Sequence, residues 1–131
     1  MKRKIAHISL VVDDYDKAIR FYVDKLNFQV VEDVQMTETK RWVLIAPGEN
    51  SSCQLLLTKA MNDEQKKAIG NQTGGKVFLF LHTDNFWRDY HMMIENEIQF
   101  IRTPVVEPYG TVAVFMDLYG NLWDLIEKRE S

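Results

Sequence analysis

A single cysteine, Cys53, occurs in 131 residues, so no disulfide can form within the chain. That usage suits a reducing compartment, and a cytoplasmic protein is expected. No apolar run approaches the length needed to span a membrane, so no membrane partner is expected. The opening Met1-Lys-Arg-Lys4 leads into the strand-like Ile5 to Val12 with no small-residue cleavage signature, and no secretory leader is expected. Neither sign of charge gathers into a long block: 16 basic and 19 acidic residues leave a net charge of -3, which makes nucleic acid a poor partner. Also missing are a glycine-rich phosphate loop, a paired-cysteine zinc pattern and a His-Glu-x-x-His helix.

What is present is apolar material, 46% hydrophobic and 11% aromatic, enough for a sizeable core in one ordinary domain of residues 1–131. Ile5 to Val12 is rich in β-branched residues and predicts a substantially buried strand. Asp13 and Asp14 stand where a helix would begin, with Asp13 read as the cap. Ala18, Ile19, Tyr22 and Leu26 recur at helical spacing and predict a helix over 14–26. Strands are predicted at Phe28 to Met36, Arg41 to Ile45 and Cys53 to Thr58, broken by Thr37-Glu-Thr-Lys40 and by Pro47-Gly-Glu-Asn-Ser-Ser52. The order is β-α-β-β-β.

A polar helical piece from Asn62 to Ile69 and the turn-rich Asn71-Gln-Thr-Gly-Gly75 make 59–75 a connector, after which the order begins again. Lys76 to His82 reads as a strand and Asp84 as a cap. Phe86, Tyr90, Met93 and Ile94 form an apolar stripe, and strands follow at Ile98 to Val106, Thr111 to Asp117 and Leu122 to Lys128. Residues 4–58 and 76–128 are therefore two modules of one plan. The repeat also shows in residues, because Asp13 and Asp84, like Asn50 and Asn121, occupy corresponding places. The expected class is α+β: two βαβββ modules pairing into a curved, cup-shaped mixed β-sheet with helices outside.

His7-Ile-Ser-Leu-Val-Val-Asp13, Ala18-Ile-Arg-Phe-Tyr22 and Leu26-Asn-Phe28 resemble the opening of the vicinal-oxygen-chelate superfamily, the glyoxalase, bleomycin-resistance and extradiol dioxygenase group. Met116-Asp-Leu-Tyr-Gly-Asn-Leu-Trp-Asp-Leu-Ile-Glu127 resembles its closing segment, in which a Gly-Asn turn feeds the last strand. Each piece is short, but they stand at opposite ends with a repeat between them. Function belongs to the site grafted onto such a fold, so the resemblance names no substrate.

The resemblance implies metal-ligand positions on the first and last strand of each half, which fall here at His7, Gln54, Phe78 and Asp124. An imidazole nitrogen, an amide oxygen and a carboxylate suit a divalent first-row metal, manganese, iron, nickel or zinc. Phe78 cannot bind one, and Asp124 is a methylene shorter than the Glu common at that place. His82 shares a face with Phe78 and Phe80 by alternation, and would reach the metal only from the cup rim. Against the metal, His7 reads as a strand histidine satisfied inside a cavity, and Gln54 and Asp124 as partners of each other or of ligand amides.

Trp42, Phe78, Phe80, Tyr109 and Phe115 would line a pocket for a small, partly apolar ligand where they face the concavity. Glu107 and Tyr109, in the turn Glu107-Pro-Tyr-Gly110, would stand at its mouth or form a solvent-exposed hairpin. Alternation assigns Trp123 to the helix side, and Cys53 to packing. Two functions follow. One is a metal-dependent lyase, isomerase, transferase or dioxygenase acting on a small oxygenated substrate. The other is a metal-free, bleomycin-resistance-like protein that sequesters a ligand in the cup. An interaction protein is a third reading, because sheet edges must be covered, and a homodimer is expected on the same ground.

Overall fold

The computed structural model describes residues 1–49 and 51–130. The chain divides into two compact units, Met1–Ile69 and Gly70 onward, each built on one four-stranded mixed sheet. The class is α+β, with the element order read from the sequence.

In the first unit β1 (His7–Val12) is followed by α1 (Tyr15–Arg20), which continues through a π-helical turn at Phe21–Lys25, and then by β2 (Gln29–Gln35), β3 (Arg41–Ala46) and β4 (Gln54–Lys59). The helix starts one residue later than expected. Asp14, not Asp13, is the N-cap, its carboxylate accepting from the Lys17 N–H at 2.9 Å, while Asp13 pairs with the Lys17 ammonium. Sheet order is β1-β4-β3-β2, with β1 parallel to β4 and the other pairs antiparallel. A short α2 (Asp63–Ala68), capped by Asn62, closes the unit against β1. Leu10, Val12, Val43, Ile45, Leu55 and Leu57 are buried on the side covered by α1, and Ala18 and Tyr22 of the helical segment are buried as well. Each such aliphatic side chain contributes about 1.5–3 kcal/mol on burial. Asn50, one half of the spacing noted above, lies outside the described residues.

The second unit repeats the plan with β5 (Val77–His82), α3 (Phe86–Glu95), β6 (Phe100–Glu107), β7 (Gly110–Met116) and β8 (Leu122–Lys128), ordered β5-β8-β7-β6. Here too the expected cap is displaced by one residue. Asn85 caps α3 by accepting from the Arg88 N–H at 3.1 Å, and Asp84 instead forms an ion pair with Arg88. Phe86, Met93, Phe115, Trp123 and Leu125 fill the core beneath α3, with Phe115 and Trp123 stacked at 5.8 Å. Trp123 thus lies on the helix side, as alternation predicts. Between β7 and β8 the Asp117 carboxylate accepts from the backbone N–H groups of Tyr119 and Asn121 and from the Asn121 side chain, each at 2.9 Å. Both residues are buried, so the turn that feeds the last strand is held by a polar knot and not by apolar packing.

Candidate functional site

In the first sheet the alternation that buries Leu10 and Val12 leaves His7 and Ser9 exposed on the opposite, open face. Parallel pairing sets His7 directly beside Gln54, whose backbone N–H is held by the Ala6 carbonyl at 3.0 Å. Trp42 meets the imidazole edge-on, with ring centroids 6.0 Å apart and planes at 79°. Neither the His7 ring nor the Gln54 amide group has a hydrogen-bond partner among the described residues, so both present donor and acceptor atoms outward. His7 is therefore not the satisfied cavity histidine that one reading of the sequence described. His7, Gln54 and Trp42 form one group.

In the second sheet the equivalent strands carry a different set. From β5 to β6 one row runs Phe80, Asp124, Val114, Arg102. Phe80 is 61% exposed, which is unusual for a ring that large and leaves its face free for an apolar partner. Burial pushes the Asp124 carboxyl above its ordinary range, and the Arg102 charge works against that shift. No ion pair closes between them, and β7 lies in between. Asp124 and Arg102 thus offer a hydrogen-bond acceptor and a donor on either side of an apolar strand.

Three sequence expectations change here. Asp124 has Phe80 beside it, not Phe78, because the β5–β8 ladder slips between Val77 and Leu79 and Phe78 falls in the irregularity. That slip takes Phe78 out of the alternation, whereas Phe80 and His82 follow it in regular register and share a face. Phe115 leaves the candidate pocket altogether: it is fully buried and belongs to the aromatic core with Phe100 and Trp123. His82 pairs with Ile126, two residues along from Asp124, and is exposed at the strand end, where it lines a polar cleft with Thr83, Asp84 and Glu127. Glu107 and Tyr109 occupy the β6–β7 hairpin, with Tyr109 61% exposed and its carbonyl accepting from the Arg129 N–H at 2.9 Å.

Arg102 escaped sequence reasoning because register shifts on both sides of it, after Phe100 and before Val105, hide which face it takes. Among the described residues no group of three or more His, Cys, Asp or Glu side chains is placed to hold a metal. Gln54 stands outside that count as a neutral amide. No helix among the described residues is long and apolar enough to cross a membrane.

Comparison with known proteins agrees with this architecture. An uncharacterized protein of Shewanella frigidimarina (strain NCIMB 400) is 56% identical over 131 residues, covering 99% of this chain and 97% of the relative. The crystal structure of UcmS2 superposes with a TM-score of 0.81 at 30% identity, covering 96% of this chain and 98% of the other. TnmS3, an antibiotic binding protein from Streptomyces sp. CB03234, gives a TM-score of 0.77 at 26% identity and 98% coverage of both chains. The family model described as Glyoxalase/Bleomycin resistance protein/Dioxygenase superfamily matches residues 4–125, which is nearly the whole of both modules, and the chain belongs to that superfamily.

Proposed function

We propose that this protein binds a small, partly apolar molecule through the open-face side chains of its sheets, without a resident metal, in a reducing, cytoplasmic setting. The observation that carries the reading is the phenyl ring of Phe80 beside Asp124. A metal at the carboxylate would need a further donor from the neighbouring strand, and a phenyl ring supplies none. The same exposed ring supports binding instead, since ligand sites combine apolar walls with a few oriented polar groups. On the first sheet Trp42 supplies apolar surface beside the polar His7 and Gln54, and on the second sheet Phe80 does so beside Asp124 and Arg102. The likeness to TnmS3, an antibiotic binding protein, supports sequestration as the function. Phe78, His82, Glu107 and Tyr109 remain candidate ligand contacts.

The test is titration with the fluorescent naphthalene dye 1-anilinonaphthalene-8-sulfonate, with and without EDTA. Saturable binding that EDTA leaves unchanged and that F80A weakens about tenfold, the loss of one aromatic contact, supports the reading. Binding abolished by EDTA, or indifferent to both F80A and W42A, contradicts it.

A second reading is favoured by one observation, the adjacency of His7 and Gln54 with their side-chain polar atoms unengaged. In it His7, Gln54 and Asp124 hold manganese, iron, nickel or zinc, and the protein is an enzyme acting on a small oxygenated substrate. When bound, such a metal polarises a substrate oxygen. The donor set falls one short, so the metal would be weakly held and exchangeable. A homodimer is part of the proposal: β2 is an edge strand exposed along its whole length, with Val30, Val31 and Val34 in water, and edge strands of that kind are covered in stable proteins. A sedimentation mass that stays near the 15.4 kDa of one chain at micromolar concentration would sink that part.

A further inference from the structure

The fold builds a cleft at the same place in both units, between the start of the helix, the hairpin joining the second and third strands, and the end of the last strand. In the second unit His82, Asp84, Thr111, Glu127, Lys128 and Arg129 line it, so acidic and basic groups are mixed. In the first unit the cleft, about 350 Å³, is lined by Lys40, Lys59, Thr37, Thr39, Thr58 and Gln65 over Tyr15 and Met61, with no carboxylate in its wall among the described residues. The geometry comes from the repeat, but the charge comes from the sequence, and only the first cleft is purely basic.

Several details fix its character. Neither lysine ammonium has an ion-pair partner among the described residues. Asp16 and Asp33 are both held by Arg41, at 2.8 and 2.7 Å, and Asp13 by Lys17, and none of the three lines the cleft. Asp63 and Glu64, in the first turn of α2, do not line it. The Thr37 hydroxyl oxygen accepts from the Thr39 and Lys40 backbone N–H groups at 3.3 and 3.0 Å, which holds the hairpin and its lysine in place. The Gln65 side-chain oxygen accepts from the Met61 N–H at 2.7 Å, which fixes the amide and turns its NH2 group away from that bond. The wall therefore offers two cations, hydroxyls and an amide donor beside a small apolar floor. Lys59 pairs with Val12 at one end of the β1–β4 ladder and Gln54 with His7 at the other, about 17 Å apart at roughly 3.3 Å per residue, so this is not the His7 group.

We infer that the first-unit cleft is an oxyanion site, which takes a doubly charged phosphate through Lys40 and Lys59, either as the free ion or as the head of a small monoester. It is independent of the open-face ligand reading. Two ammonium groups near a dianion at a half-exposed surface hold it by Coulomb attraction, so removing both should weaken binding at least about tenfold.

The experiment is amide NMR of the full chain titrated with inorganic phosphate and with phenyl phosphate, each against chloride at matched ionic strength. Saturable shifts centred on residues 37–40 and 58–59, weakened at least about tenfold in K40A/K59A and unchanged in K66A, support the site. Tighter binding of phenyl phosphate marks a monoester as the ligand, and equal binding marks the free ion. The inference is overturned if phosphate shifts these amides no more than chloride does. It is overturned equally if K40A/K59A, shown folded by its dispersed spectrum, binds as the wild type does, or if K66A loses as much as the double variant.

Discussion

Asp124 is the residue on which the chemistry turns, because it is the one carboxylate in a row whose other members are a phenyl ring, a valine and an arginine. Burial raises its proton affinity in the folded chain above the ordinary carboxyl value. The folded state then holds a proton more tightly than the unfolded state does, so this group's contribution to stability falls as pH rises from the unfolded value through the raised folded one. The expected outcome is that D124N is more stable than the wild type at neutral pH and that its advantage disappears in acid, read from urea midpoints across that range. Equal midpoints at every pH would mean that the carboxyl is not desolvated. The resemblance gave His7 and Gln54 as separate positions on the first and last strand of their half, and they come to stand side by side because β1 and β4 pair without a slip. The place of Phe80 beside Asp124 could not be read from the sequence, since one irregular residue in β5 moves every later side chain relative to β8, and nothing in the local sequence announces it. Phe115 misled for another reason: an aromatic on a half-buried strand suits core and pocket alike, and only the stacking on Trp123 decides.

At the scale of elements, periodicity and turn chemistry gave the β-α-β-β-β order twice, and the shortfalls lie in the caps. Where two polar residues precede a helix, composition does not say which one turns its side chain onto the third backbone N–H. Asp14 does so in α1, so D14A should cost about 1 kcal/mol. D13A removes an exposed ion pair with Lys17 and should cost less than D14A does. Urea unfolding of the two variants distinguishes them, and the reverse order would return the cap to Asp13. The turn before β8 carries a larger expectation. N121A deletes a side-chain donor to a buried carboxylate and should cost about 1.5–3 kcal/mol, because Asp117 then loses one of the hydrogen bonds that hold it. Gly70 is constrained from outside its own element. Its φ is +72°, and an added Cβ would run into the Tyr119 carbonyl, a backbone atom that cannot swing aside. G70A should therefore destabilise by more than the roughly 1 kcal/mol of an ordinary left-handed glycine replacement, with a thermal scan as the measurement.

For the whole molecule, the repeat and the family agree, and the proposed small-molecule binding turns on whether the ligand positions that the resemblance implies hold a metal. Family membership was legible because the opening and closing segments kept their residues. The fate of the metal positions was not legible, because it depends on what stands beside Asp124 across a slipped ladder. If binding without a resident metal is the function, the protein purified without chelator should contain well under one equivalent of manganese, iron, nickel or zinc by elemental analysis. Titration with each ion should then give the same unsaturated response in wild type and H7A. About one equivalent of a single metal in the wild type, lost in a folded H7A, would contradict the account and make the protein a metalloprotein of the superfamily.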